Sequence, residues 1–401
     1  MPAPPILEIY VLWHPDDDLG ATIGDQLIHH FHGPAYAGLA GGAVEVYLRS
    51  VPWDGASGPP RPMPFMSPLP AGLPAAQITA VIPILGRHLA RTVRSDGNWR
   101  RYLEAVFAAD QTTAVAPGSP IVGVYTLTVP GANLAGSSLA AVAARPQTLP
   151  GFAADSASTL AREVAQAISQ RLAHVLVDSD IEERLTVFIS HTKRAADARD
   201  TGPTIAGVVR QVLSDSHLDS FFDAHDIQVG EDWESALDAE ASRHALLMVR
   251  TDSYAGREWT QREVHVAKMH DIPIVCLNAV RGEEQRGSFL MDHVPVVACP
   301  AGQEDRAAEQ ALNRLVDEAL KRALWQAQRI YLAQDGFDWL PVHAPEPVTA
   351  IGWLQSHLTH VAAERTLVMM HPDPPLGPNE RQVIFDLCRI ADHTAPVDIL
   401  T

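Results

Sequence analysis

Short apolar runs rich in strand-favouring residues recur along the chain, separated by stretches long enough for a helix. The first set is Ile6 to Leu12 (ILEIYVL), Val44 to Leu48 (VEVYL), Ile78 to Leu85 (ITAVIPIL) and Ile121 to Leu127 (IVGVYTL). Between them, ATIGDQLIHHF and Trp99 to Ala109 carry helical patterns. Pro83 limits where its strand can sit in a ladder, and the Pro/Gly-rich stretch 51–74 excludes regular structure over much of its length.

A second set follows: Leu185 to Ser190, Leu218 to Asp223, Ala245 to Val249 and Ile272 to Leu277. Its predicted helices are Pro203 to Leu213, Trp233 to Ala241 and the segment REWTQREVHVAKMH. Near-continuous apolar strands alternating with helices predict open, doubly wound α/β sheets that are mainly parallel. Such sheets bind ligands outside the carboxyl ends of their strands. A long helical pattern covers 302–333, and a final piece offers helix Trp353 to Val361, strand Arg365 to Met370, helix Glu380 to Ile390 and a strand over 396–400. The organisation this gives is an α/β domain at 1–178, a second at 179–325 and a C-terminal βα extension at 326–401.

Length agrees, because 401 residues exceed what one ordinary core accommodates. The formal net charge of −18, with no long basic run, argues against direct nucleic-acid binding and against anionic membrane surfaces. No apolar run is long enough to span a bilayer, and MPAPPILEIY lacks the basic and apolar regions of a signal peptide. Cys276, Cys299 and Cys388 are scattered, which predicts neither a metal cluster nor a disulfide framework and fits a reducing, cytoplasmic setting.

Two places carry candidate chemistry. In REWTQREVHVAK, Trp259 and Glu263 stand four positions apart and share a helix face, as an aromatic wall beside a carboxylate would. The plainer alternative is an amphipathic helix whose Trp packs and whose Glu is solvated. The other is an internal echo: WHPDDDLG follows the first strand, and MHPDPPLG follows RTLVMM near the end. HPDDDLG is similar to the HPDDE signature of zinc-dependent N-acetylglucosaminyl deacetylases, in which His14 and Asp17 would bind metal and Asp16 act as base. Asp18 replaces the glutamate of that signature, and no late histidine pair falls in the same domain. A polar turn with Asp16 or Asp17 near a helix N-cap is the expectation, with no metal.

The second domain resembles the Toll/interleukin-1 receptor (TIR) domain family. The resemblance rests on VFISH at 187–191, FFDAHDIQVGEDWESAL at 221–237 with Gly230 in the so-called BB loop, ALLMVRTDSYAGREWTQREVHVAK, and IPIVCLN. It implies a flavodoxin-like fold and, in NAD-cleaving members, a catalytic glutamate, here Glu263. Ser190, His191, Lys193, Asp223, Trp233 and Trp259 are the substrate-binding residues it implies, with Arg194 and Asp226 close by. NAD would be the substrate and no cofactor would be needed. Implied partners are further copies of the chain through TIR–TIR contacts and a trigger protein or nucleotide. Implied roles are an anti-phage immune effector, a signal-producing enzyme or a non-enzymatic scaffold. The first domain resembles a degenerate copy, in which Trp99 and Glu104 lie five positions apart and so do not share a face.

Overall fold

The computed structural model describes residues 6–36, 44–52, 57–66, 75–110, 121–129, 131–133, 135, 137, 140, 160, 162–169, 172, 186–192, 201–214, 220–223, 244–282, 284, 287–357, 366–372, 375–390 and 396–400. The chain forms two compact units, Met1–Ser179 and Asp180–Thr401.

The first unit is built on parallel strands β1 (Leu7–Leu12), β2 (Val44–Arg49), β3 (Ile78–Leu85), β4 (Ile121–Val124) and β5 (Leu127–Thr128). Their order is β2-β1-β3-β4, with β5 also paired to β3. β1 and β3 are central, and apart from the half-buried Glu8 all their residues are buried, which is why they read as unbroken apolar runs. Pro83 explains why β4 and β5 are separate strands. The β3 carbonyls at Val81 and Leu85 accept from Tyr125 and Val129, so the odd-numbered residues of β3 face this neighbour. Pro83 is one of them and has no N–H to offer there.

Helix α1 (Leu19–Phe31) packs on β1 and β2. Helices α2 (Arg87–Ser95) and α3 (Gly97–Ala108) cover a sheet face made by Tyr10, Leu12, Val81 and Leu85. The sequence pattern missed α2 (RHLARTVRS), whose apolar positions Leu89, Ala90 and Val93 are few among charges. Trp99 is buried and Glu104 is exposed, as the five-residue spacing requires.

The second unit holds β6 (Thr186–Ser190), β7 (Ser220–Asp223), β8 (His244–Arg250), β9 (Ile274–Asn278) and β10 (Val296–Ala298), all parallel, in the order β10-β9-β8-β6-β7. In both units, therefore, the first strand lies between the second and third, with the fourth beyond the third. Phe188, Leu246, Met248, Ile274 and Cys276 share the core with helix α5 (Glu258–Met269). Helices α4 (Gly202–Ser214) and α6 (Glu304–Leu332) pack on each other, and α6 also packs on β8, β9 and β10. The predicted helix Trp233 to Ala241 lies outside the described residues.

A smaller parallel pair, β11 (Leu367–Met370) and β12 (Val397–Leu400), completes this unit with α7 (Pro347–His357) and α8 (Pro378–Ile390). Trp339 bridges to Met369 on the other edge of β11 and stacks on Trp353 at 4.4 Å. No helix among the described residues is long and apolar enough to cross a membrane.

Candidate functional site

Alternation along β6 puts Phe188 and Ser190 on one sheet face, the face that α5 covers. Ser190 is the last residue of its strand, so its hydroxyl reaches the layer between sheet and helix at the carboxyl end. Glu263, in the second turn of α5, meets it there: Ser190 Oγ donates to Glu263 Oε2. Ser190 is fully buried and Glu263 is 1% exposed.

A third residue joins them. Tyr254 lies in the turn between β8 and α5, wholly buried, with its hydroxyl 2.5 Å from Ser190 Oγ. Ser190 spends its one proton on the carboxylate, so Tyr254 is the donor in this pair. Burial first, and then the charge of Glu263, push the Tyr254 phenol well above its ordinary range and keep that proton in place. The turn is pinned to the helix beneath it: Thr260 Oγ1 donates to Tyr254 O at 2.6 Å, and Gln261 Nε2 donates to Ala255 O at 2.7 Å.

His191 follows Ser190 and is 3% exposed. Its Nδ1 lies 3.0 Å from Thr192 O and its Nε2 3.5 Å from the Arg210 guanidinium, which together select the tautomer with the proton on Nδ1. Thr192 and Thr251, both 2% exposed, extend this buried polar layer across the ends of β6 and β8.

The structure thus brings Ser190 and Glu263 together and sets His191 beside them. Trp259 sits at the start of α5 and is 40% exposed, so its shared helix face with Glu263 does not give it the same burial. Asp223 ends β7, in register with Ile189. Lys193 and Trp233, with Arg194, Asp226 and Gly230, lie outside the described residues. Tyr254 was not singled out from the sequence, where TDSYAG reads as an ordinary turn; its one signal was an aromatic hydroxyl just past the carboxyl end of a central strand.

Residues 187–316 match the family model of the TIR domain. The second unit carries a TIR domain. None of the curated proteins matches the chain. The TIR match begins within β6 and ends within α6, so it encloses Ser190, Tyr254 and Glu263 and stops short of the β11–β12 pair.

The rival motif in the first unit is used structurally. Both carboxylate oxygens of Asp17 accept from backbone N–H groups of α2, His88 at 2.9 Å and Leu89 at 3.0 Å. The helix it caps is α2, not the α1 that follows it in sequence; Asp18, at the start of α1, makes no side-chain cap. Gly86 permits this approach, since a Cβ there would lie 2.3 Å from Asp17 Cγ. His14 Nε2 lies 3.2 Å from Thr92 Oγ1. Among the described residues no three His, Cys, Asp or Glu side chains converge as a metal site would need.

Proposed function

We propose that the TIR domain cleaves the nicotinamide–ribose bond of NAD, with Glu263 as the catalytic carboxylate. The observation that supports this is the hydrogen-bonded series Tyr254, Ser190, Glu263 at the carboxyl end of the central strands, where doubly wound sheets place their ligands. Departure of nicotinamide leaves positive charge on the ribose, and an oriented, desolvated carboxylate stabilises that centre. Ser190 and Tyr254 hold Glu263 in one orientation before substrate arrives, so little reorganisation is needed during the reaction. Nicotinamide is already a good leaving group and asks for no dedicated acid. Trp259, partly exposed one turn earlier, is a candidate wall for a bound ring, and Lys193 a candidate for the pyrophosphate. Assembly through TIR–TIR contacts would regulate an activity that is toxic when constant, as in an immune effector or a signal-producing enzyme.

The test is nicotinamide release from NAD by the full-length protein at high concentration, with and without a crowding agent. Glu263→Gln keeps the size of the side chain and one acceptor oxygen for Ser190, and removes the charge. Release is expected to fall about 100-fold or more, the worth of a few kcal/mol of transition-state stabilisation. Equal rates in the two proteins would remove Glu263 from the mechanism.

The burial of Glu263 supports a second reading, a TIR scaffold in which this network fixes the core of an assembly module. That reading expects no release from the wild-type protein under any assembly condition.

A further inference from the structure

Arg49, in the first unit, is a buried cation with no ion pair among the described residues. Arg49 ends β2 and is 8% exposed. Its guanidinium carbon lies 4.9 Å from the centre of the Tyr10 ring and 5.6 Å from that of Tyr47, and the two rings stack at 5.1 Å. Nη1 donates to Leu48 O at 3.0 Å, whereas Nε is buried and makes no hydrogen bond. Among the described residues Arg49 forms no ion pair.

A buried charge of this kind is costly unless something pairs with it. Glu8 acts on it only beyond ion-pairing distance: its carboxylate accepts from the Tyr10 hydroxyl at 2.9 Å, and burial raises its pKa more than that hydrogen bond and the charge of Arg49 lower it. A second cation makes matters worse. Burial, and then the charge of Arg61, lower the Arg49 guanidinium from its ordinary value. Arg61 is exposed, and its backbone carbonyl accepts from the Tyr102 hydroxyl at 3.0 Å, which anchors it to α3.

Position adds an independent argument. Arg49 O accepts from Trp13 N at 3.1 Å, so the residue stands at the carboxyl edge of the sheet, where β1 gives way to its loop. That is the ligand-binding edge of a doubly wound unit. Cation–π contact with Tyr10 and Tyr47 holds the guanidinium in place while leaving most of its N–H fork for an acceptor.

We infer that the first unit binds a phosphate-bearing small molecule, with Arg49 as its buried anchor and Arg61 as the cation at the rim. The anion supplies the direct ion pair that Glu8 does not make, and a phosphate matches the planar fork of the guanidinium. The inference is independent of NAD cleavage by the second unit.

Titration calorimetry on the full-length protein at constant ionic strength tests it, with inorganic phosphate, pyrophosphate and AMP as separate probes to distinguish free phosphates from a nucleotide. Saturable binding of at least one is expected, weakened tenfold or more in Arg49→Met and several-fold in Arg61→Gln. A thermal melt gives a second readout: without anion, Arg49→Met should melt no lower than wild type, because it removes an unpaired charge. Saturable anion should raise the melting temperature of wild type alone. Absence of saturable binding to the wild type with all three probes overturns the proposal. So does undiminished binding in Arg49→Met, or in Arg61→Gln should the Met variant fail to fold.

Discussion

Ser190 has one hydroxyl proton, and Glu263 receives it, so Tyr254 must donate to Ser190 in turn. Tyr254→Phe therefore keeps the buried ring and removes only the first donor of the series. The lost hydrogen bond should cost about 1–2 kcal/mol in denaturant unfolding. If the series orients Glu263, the kcat for nicotinamide release should fall several-fold with little change in KM. The variant also carries a pH signature. The Tyr254 phenol is raised in the folded protein, while an unfolded tyrosine ionises near pH 10. Its contribution to stability is thus whole below about pH 10 and is lost as the pH climbs beyond it. Phenylalanine does not titrate, so the fall in stability of the second unit above pH 10 should be shallower; an unaltered alkaline limb would mean that Tyr254 is not held neutral by burial. The sequence named Ser190 and Glu263 as candidates through the TIR resemblance, and the structure puts their side chains in contact. Tyr254 could not be found that way, because its role depends on a turn folding back over α5.

The central strands were legible because both faces of a parallel strand are buried and the apolar run is unbroken, as in ITAVIPIL and ALLMV. β10 was not, since VVA is short and largely exposed at a sheet edge. Contacts between elements distant in sequence were the least legible. Lys268 lies at the end of α5, in a run that reads as a charged helix face, yet it is 6% exposed. Its Nζ donates to Glu346 Oε2 at 2.8 Å and to Asp292 O at 2.8 Å. Glu346 is itself 8% exposed and precedes α7, where its carbonyl accepts from Thr349 Oγ1. One helix thus carries Glu263 on its second turn and, on its last, a buried tie to the C-terminal extension. Glu346→Ala leaves the Lys268 ammonium buried without its partner and should cost about 3–5 kcal/mol, measured by chemical denaturation. The double variant Lys268→Met, Glu346→Leu, which removes both charges, should recover much of that loss. A double variant no more stable than the single one would show that packing, and not the pair, holds the two elements together.

Across the whole molecule one arrangement recurs: a strand, a histidine just past its end, a helix, and a parallel strand beside the first. β1, His14, α1 and β2 form one case; β6, His191, α4 and β7 a second; β11, His371, α8 and β12 a third. His191 Nδ1 and His371 Nδ1 each lie within hydrogen-bonding distance of the carbonyl of the next residue, at 3.0 and 2.7 Å. The echo between the two HPDxxLG segments thus marks the opening of two such units, although Asp17 caps α2. The third has two strands and bridges through Trp339, and a pair of strands needs support from outside itself. That support comes from a core of Trp339, Leu354, Leu367, Met369, Ile384 and Ile399, and from α6, whose Trp325 Nε1 donates to Pro341 O at 2.6 Å. The TIR match ends at residue 316, in the middle of α6, and so leaves out part of what this domain is packed with. Leu320, Leu324 and Trp325 are at most 1% exposed and lie beyond it, as does Glu346, the partner of Lys268. A fragment covering 180–401 retains all of these and is expected to express soluble and to melt cooperatively. A fragment cut to 187–316 loses the last turns of α6 and leaves Lys268 unpaired, so it should aggregate or melt without a sharp transition. Circular dichroism melts of the two fragments decide the matter: an equally sharp transition from 187–316 would show that the TIR domain stands without the extension, and that Lys268–Glu346 joins two independently stable parts.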